Sequence, residues 1–334
     1  MSDAISIGIV GLGRLGRRHA ENLAFRVAGA KLVAAASPLP EERAWAGKAL
    51  NGVATYSGLP ELLEHPGLDA VWLVTPTSLH ADQVIASVRA GKHVFCEKPL
   101  ALAPDDCDRA IAAAAEHPEK VVMIGFMRRF DPAYAEAKRM IEAGALGKIF
   151  AIRCVSEDPV DPSGFFVRFA PTSGGIFLDC CIHDIDLVRW MLGGAEPASV
   201  AAVGSRVLTP ALEACGDVDT ASAVVSFKGG AIADFYVTRT SHRGYEASMT
   251  IVGSKATLDV GRAIPKIPLT LESGGRRSVA GLTDFFDRFG EAFLHEARAF
   301  VDAVRNGGPT PLSLEDAREA TRLACAMRAA LKVG

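Results

Sequence analysis

No stretch of this sequence reaches the ~18 consecutive apolar residues that a membrane-spanning helix needs. No charged leader or apolar h-region precedes the first strand-like run at Ile5, so a cytoplasmic protein is expected. Charge of one sign is also scarce. The 36 Lys and Arg and 39 Asp and Glu leave a formal net charge of -3, which gives no electrostatic basis for holding nucleic acid or an anionic membrane. The seven cysteines are odd in number, include the adjacent Cys180 and Cys181, and show no CxxC spacing. They suit neither a disulfide framework nor a zinc site, and reduced, mostly buried thiols without a metal are expected. Internal repeats and low-complexity tracts are missing too. What is present is an ordinary globular composition, 49% apolar and 22% charged, in 334 residues, enough for two domains.

The chain opens with a short apolar run, residues 5–10, that enters Gly11-Leu12-Gly13-Arg14-Leu15-Gly16 and then an amphipathic stretch over 17–27. Strand, glycine turn and helix in that order form a dinucleotide-binding pattern. Gly11 allows the tight turn, Gly13 lets backbone approach a pyrophosphate, Gly16 lets helix pack on strand, and the helix start offers free N–H groups. Arg14 and Leu15 lie in the same turn and are candidate cofactor contacts. A second strand over 31–36 ends at Ser37, where an acid for the adenosine ribose is usual. Serine can hydrogen-bond a ribose hydroxyl and does not repel a 2′-phosphate, but Pro38 and Leu39 supply no adjacent arginine, leaving Arg14 and Arg43 as the candidate clamps. NAD is the expected cofactor, with NADP open.

Strand and helix then alternate: a strand at 53–55, a helix at 59–64, a strand at 70–75, a helix at 80–90, a strand at 94–96, a helix at 105–116 and a strand at 121–125. This rhythm predicts a doubly wound parallel sheet, with ligands at the carboxyl ends of the strands. Two turns fall on that edge, Thr75-Pro76 and Glu97-Lys98-Pro99, so Thr75, Pro76, Glu97 and Lys98 are expected to border the cofactor, with His80 just beyond. An ammonium held at the end of a buried strand, as at Lys98, is partly withdrawn from water and can hold or pass a proton. Arg128 and Arg129 follow the last strand; they either orient cofactor or substrate, or form ion pairs at the domain hinge.

From about residue 149 the texture becomes strand-rich, with an interrupting loop expected over 158–175. A helix is then predicted over 176–192. At ~100° per residue Asp179, His183, Asp186 and Trp190 fall within about 60° of arc, beside an apolar face of Leu178, Ile182, Ile185 and Leu192. His183 with Asp179 four residues before it is a plausible acid–base device. A metal held by Asp179, His183 and Asp186 is the rival, but lacks a second histidine. Strands are expected at 201–206, 221–227, 231–238, 247–252 and 256–260, making a mostly antiparallel sheet. Its outer face, read as Ala221, Ala223, Ala231 and Ala233, is a candidate contact between copies. Tyr236 and Tyr245 are lesser candidates for touching a ligand. Helices over 289–305 and 313–332 close the chain.

With these residues placed, the chain resembles the Gfo/Idh/MocA oxidoreductase family along essentially its whole length. The resemblance rests on Gly11 to Gly16, Thr75-Pro76 with His80, Gly91-Lys92-His93 into Glu97-Lys98-Pro99, and Gly174-Gly175 through Asp179 to His183. Within the family the segments 95–101 and 125–131 look most like inositol 2-dehydrogenases. The resemblance implies an α/β chain: an N-terminal Rossmann domain over 1–127, then an α+β domain over 128–334 that binds substrate and other copies. It also implies substrate between the nicotinamide and the second domain's sheet, catalysis by Lys98 and His183 with Asp179 assisting, and a cyclic polyol or sugar as substrate. Two other outcomes stay open: a non-catalytic NAD(P)-sensing regulator of the same fold, and an enzyme for another sugar or anhydrosugar, including a glycosidase with tightly held NAD. A homodimer or homotetramer is expected.

Overall fold

The computed structural model describes residues 4–262, 264–273, 276–310 and 312–334. The start of the chain at 1–3, read above as running straight into a strand, lies outside the described residues. The chain forms two compact units, one of Met1–Met127 with Phe293–Thr321, the other of Arg128–Ala292 with Arg322–Gly334.

The first unit alternates β1 (Ile5–Val10), α1 (Arg14–Phe25), β2 (Ala30–Ala36), α2 (Pro40–Ala49), β3 (Ala54–Tyr56), α3 (Leu59–Leu63), β4 (Ala70–Leu73), α4 (His80–Arg89), β5 (His93–Glu97), α5 (Pro104–Ala115) and β6 (Val122–Gly125). The strands are all parallel, in the order β3-β2-β1-β4-β5-β6. The order reverses direction at β1, so the crevice for a ligand opens at the carboxyl ends of β1 and β4. Strands β4, β5 and β6 are buried throughout or nearly so, as expected of strands covered on both faces. Trp72 and Phe95 stack at 3.6 Å, and Phe300 meets both edge-on at 5.5 and 6.0 Å. That aromatic packing is what draws the segment Phe293–Thr321 into this unit. α2 was not anticipated. Pro40 stands at its start, where proline costs no hydrogen bond.

The second unit contains α6 (Pro132–Glu142), β7 (Ile149–Pro159), α7 (Phe165–Ser173), α8 (Ile176–Asp179), α9 (Ile182–Met191), β8 (Pro197–Ser205), β9 (Thr220–Phe227), β10 (Ile232–Ser241), β11 (Glu246–Gly253), β12 (Thr257–Val260) and the hairpin of β13 (Pro265–Ser273) and β14 (Arg276–Gly281). Helices α10 (Phe285–Asn306) and α11 (Leu314–Ala330) and the short β15 (Leu331–Val333) complete the chain. Its main sheet runs β12-β11-β7-β10-β9-β8-β15. It is mostly antiparallel, with β7/β10 and β8/β15 parallel.

Three expectations are corrected here. The stretch 158–175 is not an open loop: β7 continues to Pro159 and α7 follows, with Phe165 and Phe169 stacked one turn apart at 5.7 Å and the Asp161 carboxylate accepting the Phe166 N–H at 2.9 Å. The predicted helix over 176–192 is two helices, α8 and α9, separated by a turn at Cys180 and Cys181. Ala221, Ala223, Ala231 and Ala233 are buried and face inward. Alternation along β8, β9 and β10 turns Val203, Val224, Ile232 and Tyr236 outward instead.

Candidate active site

In the first unit the site is built at the carboxyl edge of the sheet. Gly11 has φ +94, and a side chain on it would lie 2.2 Å from the Val74 carbonyl oxygen; one on Gly16 would lie 2.0 Å from the Gly11 oxygen. Both positions therefore require glycine, and the β1, β4 and α1 ends close around the turn. Gly13 has nothing within 4 Å of where its side chain would be. It caps α1 without any side-chain hydrogen bond, and the first turn of α1 holds no acid. An open cradle of backbone N–H groups at the positive end of a helix fits the pyrophosphate of a dinucleotide.

The β5 tip is fixed from behind. The Glu97 Oε1 lies 2.8 Å from His19 Nε2, and its Oε2 accepts the Lys98 backbone N–H at 3.1 Å. His19 sits on α1 among Trp72, Phe95 and Phe293, with ring centroids 5.4, 5.8 and 5.4 Å away. Glu97 is thus a buried strut joining the glycine-turn helix to the backbone that presents Lys98. Nearby, Glu296 of α10 is 0% exposed, and neither of its carboxyl oxygens has a hydrogen-bond partner among the described residues. Burial, with the charge of Glu97 added, pushes its pKa well above the usual carboxylate range.

His80 is a staple rather than a ligand contact. Its Nδ1 lies 2.7 Å from the Pro99 oxygen and its Nε2 2.8 Å from the Thr75 oxygen. Both ring nitrogens are engaged by the two turns that edge the crevice, and burial keeps the imidazole below its ordinary pKa against the pull of those carbonyls. The Thr75 hydroxyl donates to Gln83 at 2.5 Å. At the β2 tip Ser37 is 1% exposed, and its hydroxyl donates to Glu42 of α2 at 2.5 Å.

In the second unit His183 stands in the first turn of α9, 6% exposed. Arg128 and Arg129 hold that helix. Arg128 donates to Asp184 at 2.7 Å, to Ser156 at 3.2 Å and to the Tyr245 hydroxyl at 3.3 Å. Arg129 forms a two-pronged pair with Asp186 at 2.8 and 2.6 Å. The alternative of ion pairing therefore describes both arginines, and the expectation that Arg128 contacts the cofactor gives way, because its fork is committed within its own unit. Asp186 is likewise paired with Arg129.

Asp179 ends α8 and accepts from Arg239 at 2.6 Å. Arg239 also donates to Asp217 at 3.0 Å and lies 3.4 Å from the centre of the Phe166 ring. Burial works against its charge, and the Cys180 sulfur with the two carboxylates outweighs that, so the guanidinium stays firmly charged. Asp158, at the end of β7, has its pKa raised by burial and then by the charge of Asp179. Tyr236 faces outward on the sheet, while Tyr245 is buried against Arg128.

Sequence reading missed His19, Glu42, Asp158, Arg239 and Glu296. Of these only Glu42, five residues after an anomalous serine, carried a local signal.

Residues 5–126 match the oxidoreductase family with an NAD-binding Rossmann fold, and residues 134–259 match the GFO/IDH/MocA C-terminal domain. The chain is 39% identical to the scyllo-inositol 2-dehydrogenase (NAD(+)) of Bacillus subtilis over 93% of this chain and 89% of that one. It is 36% identical to the myo-inositol 2-dehydrogenase of Thermotoga maritima over 98% of this chain and 96% of that one. Among solved structures, the scyllo-inositol dehydrogenase of Lactobacillus casei with bound NAD(H) and scyllo-inositol superposes with a TM-score of 0.94 at 36% identity, covering 98% of this chain and 97% of that one.

Proposed function

This chain belongs to the GFO/IDH/MocA oxidoreductase family, and from that premise we propose that it transfers a hydride between a ring carbinol of an inositol-like cyclic polyol and NAD. The observation that carries the proposal is full-length similarity to inositol dehydrogenases in a chain that also presents Lys98 at the β5 tip, Asp179 and His183. The bound nicotinamide supplies the hydride acceptor. His183 takes the proton of the ring hydroxyl being oxidised, and the Lys98 ammonium stabilises the oxygen as negative charge develops. Asp179, oriented by Arg239, positions the substrate hydroxyls. Gly11, Gly13, Arg14, Leu15 and Gly16 hold the pyrophosphate, and Thr75, Pro76, Glu97 and Lys98 edge the nicotinamide half.

Two finer readings accompany this one. Copies assemble through the outer face of the second unit's main sheet, where Val203 is 59% exposed and Val224, Ile232 and Tyr236 lie with it. Such an apolar face on an antiparallel sheet is the usual mark of a protein contact; sedimentation of Val224→Lys should show a smaller species than the parent. The protein works in the cytoplasm. Among the described residues no helix is long and apolar enough to cross a membrane.

A panel of inositols, pyranoses and anhydrosugars, scored by nicotinamide absorbance with NAD, tests the function. Turnover of at least one inositol above the sugars is expected. Turnover confined to non-inositol sugars would overturn the substrate class, and turnover of nothing would favour a sensing role.

A further inference from the structure

At the adenosine end of the crevice, the strand-end acid usual in NAD-binding sheets is replaced by Ser37. Its place in the fold is unchanged: the Gly11 N–H donates to the oxygen of Ala36, the residue before it, at 2.9 Å. The serine hydroxyl, however, is already spoken for. It accepts the Leu39 N–H at 3.1 Å and gives its one proton to Oε2 of Glu42 at 2.5 Å. A hydroxyl so used has no proton left for a ribose oxygen.

The group beyond it is a carboxylate. Glu42 lines a cavity of about 510 Å³ together with Gly13, Arg14, Arg17, Arg18, Glu21 and Trp45, so the acid shares a cavity with the open cradle glycine. Arg43, its chain neighbour and the obvious clamp for a 2′-phosphate, is tied to backbone instead, donating to the carbonyl oxygens of Ser37 and Pro38 at 2.7 and 2.9 Å. Arg17 donates to the Leu12 oxygen at 3.2 Å and lies 4.8 Å from the centre of the Trp45 ring.

Resting on the dinucleotide reading above, we propose that Glu42 is the specificity-determining residue of the cofactor site. Its carboxylate, delivered from α2 and steadied by Ser37, takes the place of the missing strand-end acid and selects a free ribose 2′-hydroxyl over a 2′-phosphate. Glu42 can accept hydrogen bonds from the ribose hydroxyls, and it repels a phosphate dianion. The other acid of the cavity, Glu21, lies 3.9 Å from Arg18, whereas Glu42 is the acid held against the strand end by Ser37. Without the charge of Glu42, Arg14, Arg17 and Arg18 face one remaining carboxylate, and a phosphate dianion is repelled less.

The test is titration of the full-length protein with NADH and with NADPH, followed by nicotinamide fluorescence, for the parent, Glu42→Gln and Glu41→Gln. Glutamine keeps an oxygen that accepts the Ser37 proton and removes only the charge. The parent should bind NADH more tightly than NADPH by at least about tenfold, and Glu42→Gln should lower that ratio by about tenfold or more, mostly by tightening NADPH. Glu41→Gln should leave it unchanged. Equal or tighter binding of NADPH by the parent, or an unchanged ratio in Glu42→Gln, overturns the assignment. A folded parent that binds neither dinucleotide removes the cofactor reading itself, and this inference with it.

Discussion

The two units hold their chemical side chains by different means. In the first unit the crevice is shaped mainly by contacts close in sequence or made by backbone, namely the glycines at Gly11 and Gly16, the His80 staple to two carbonyls and the Ser37–Glu42 pair, with the His19–Glu97 contact as the long-range exception. In the second, α8 and α9 are pinned by buried guanidinium–carboxylate pairs drawn from distant segments: Arg128 to Asp184, Arg129 to Asp186, Arg239 to Asp179. A backbone-built edge suits a cofactor gripped through N–H groups. A set of paired charges suits a polyol, whose hydroxyls need fixed donors and acceptors around the whole ring.

The sharpest way to break this contrast is to remove one charge from the second unit. Arg128→Met leaves Asp184 buried without its cation and should cost about 3–5 kcal/mol of stability, read as a large fall in melting temperature. Replacing Asp184 by leucine as well should return much of that loss. A single variant that melts like the parent would mean the pairs do not carry the unit.

The first unit offers the opposite case, a buried carboxyl with no hydrogen-bond partner among the described residues. Glu296 has its native pKa raised well above 4.5, so the folded state binds more protons than the unfolded chain once the pH exceeds about 4.5. Parent stability should therefore fall as pH rises through that window, by up to about 1.4 kcal/mol per pH unit. Glu296→Gln removes the dependence. It should match the parent below about pH 4.5 and exceed it increasingly above, as measured by denaturant unfolding across pH. An unchanged pH slope would show that the group is ionised and partnered in the native protein. The smallest effect is expected at the exposed pair of Arg109 with Asp82, 56% and 70% exposed. Arg109→Ala should leave the melting temperature unmoved.

The same contrast explains what could be read from sequence. The glycine turn, the parallel alternation and the β5 tip were legible because period, turn chemistry and strand ends are local properties. α2 was hidden by Pro38 and Pro40, although proline is tolerated where Pro40 stands, and with it went the clue that Glu42 answers Ser37. α7 was hidden by the glycine, serine and proline content of 158–175. The roles of Arg128, Arg239 and Asp158 were not legible, since each depends on partners far along the chain. The outward face of the sheet was misread because a run of alternating small residues does not say which face is covered.

His183 and Lys98 are proposed to act on the carbinol being oxidised. The most direct test is the steady-state turnover of scyllo- and myo-inositol with NAD by the parent, Lys98→Met and His183→Ala, beside NADH binding by His183→Ala. A kcat lowered by about 10²–10⁴-fold is expected in each variant, with the NADH affinity of His183→Ala unchanged. Turnover by His183→Ala within a few fold of the parent would contradict this assignment.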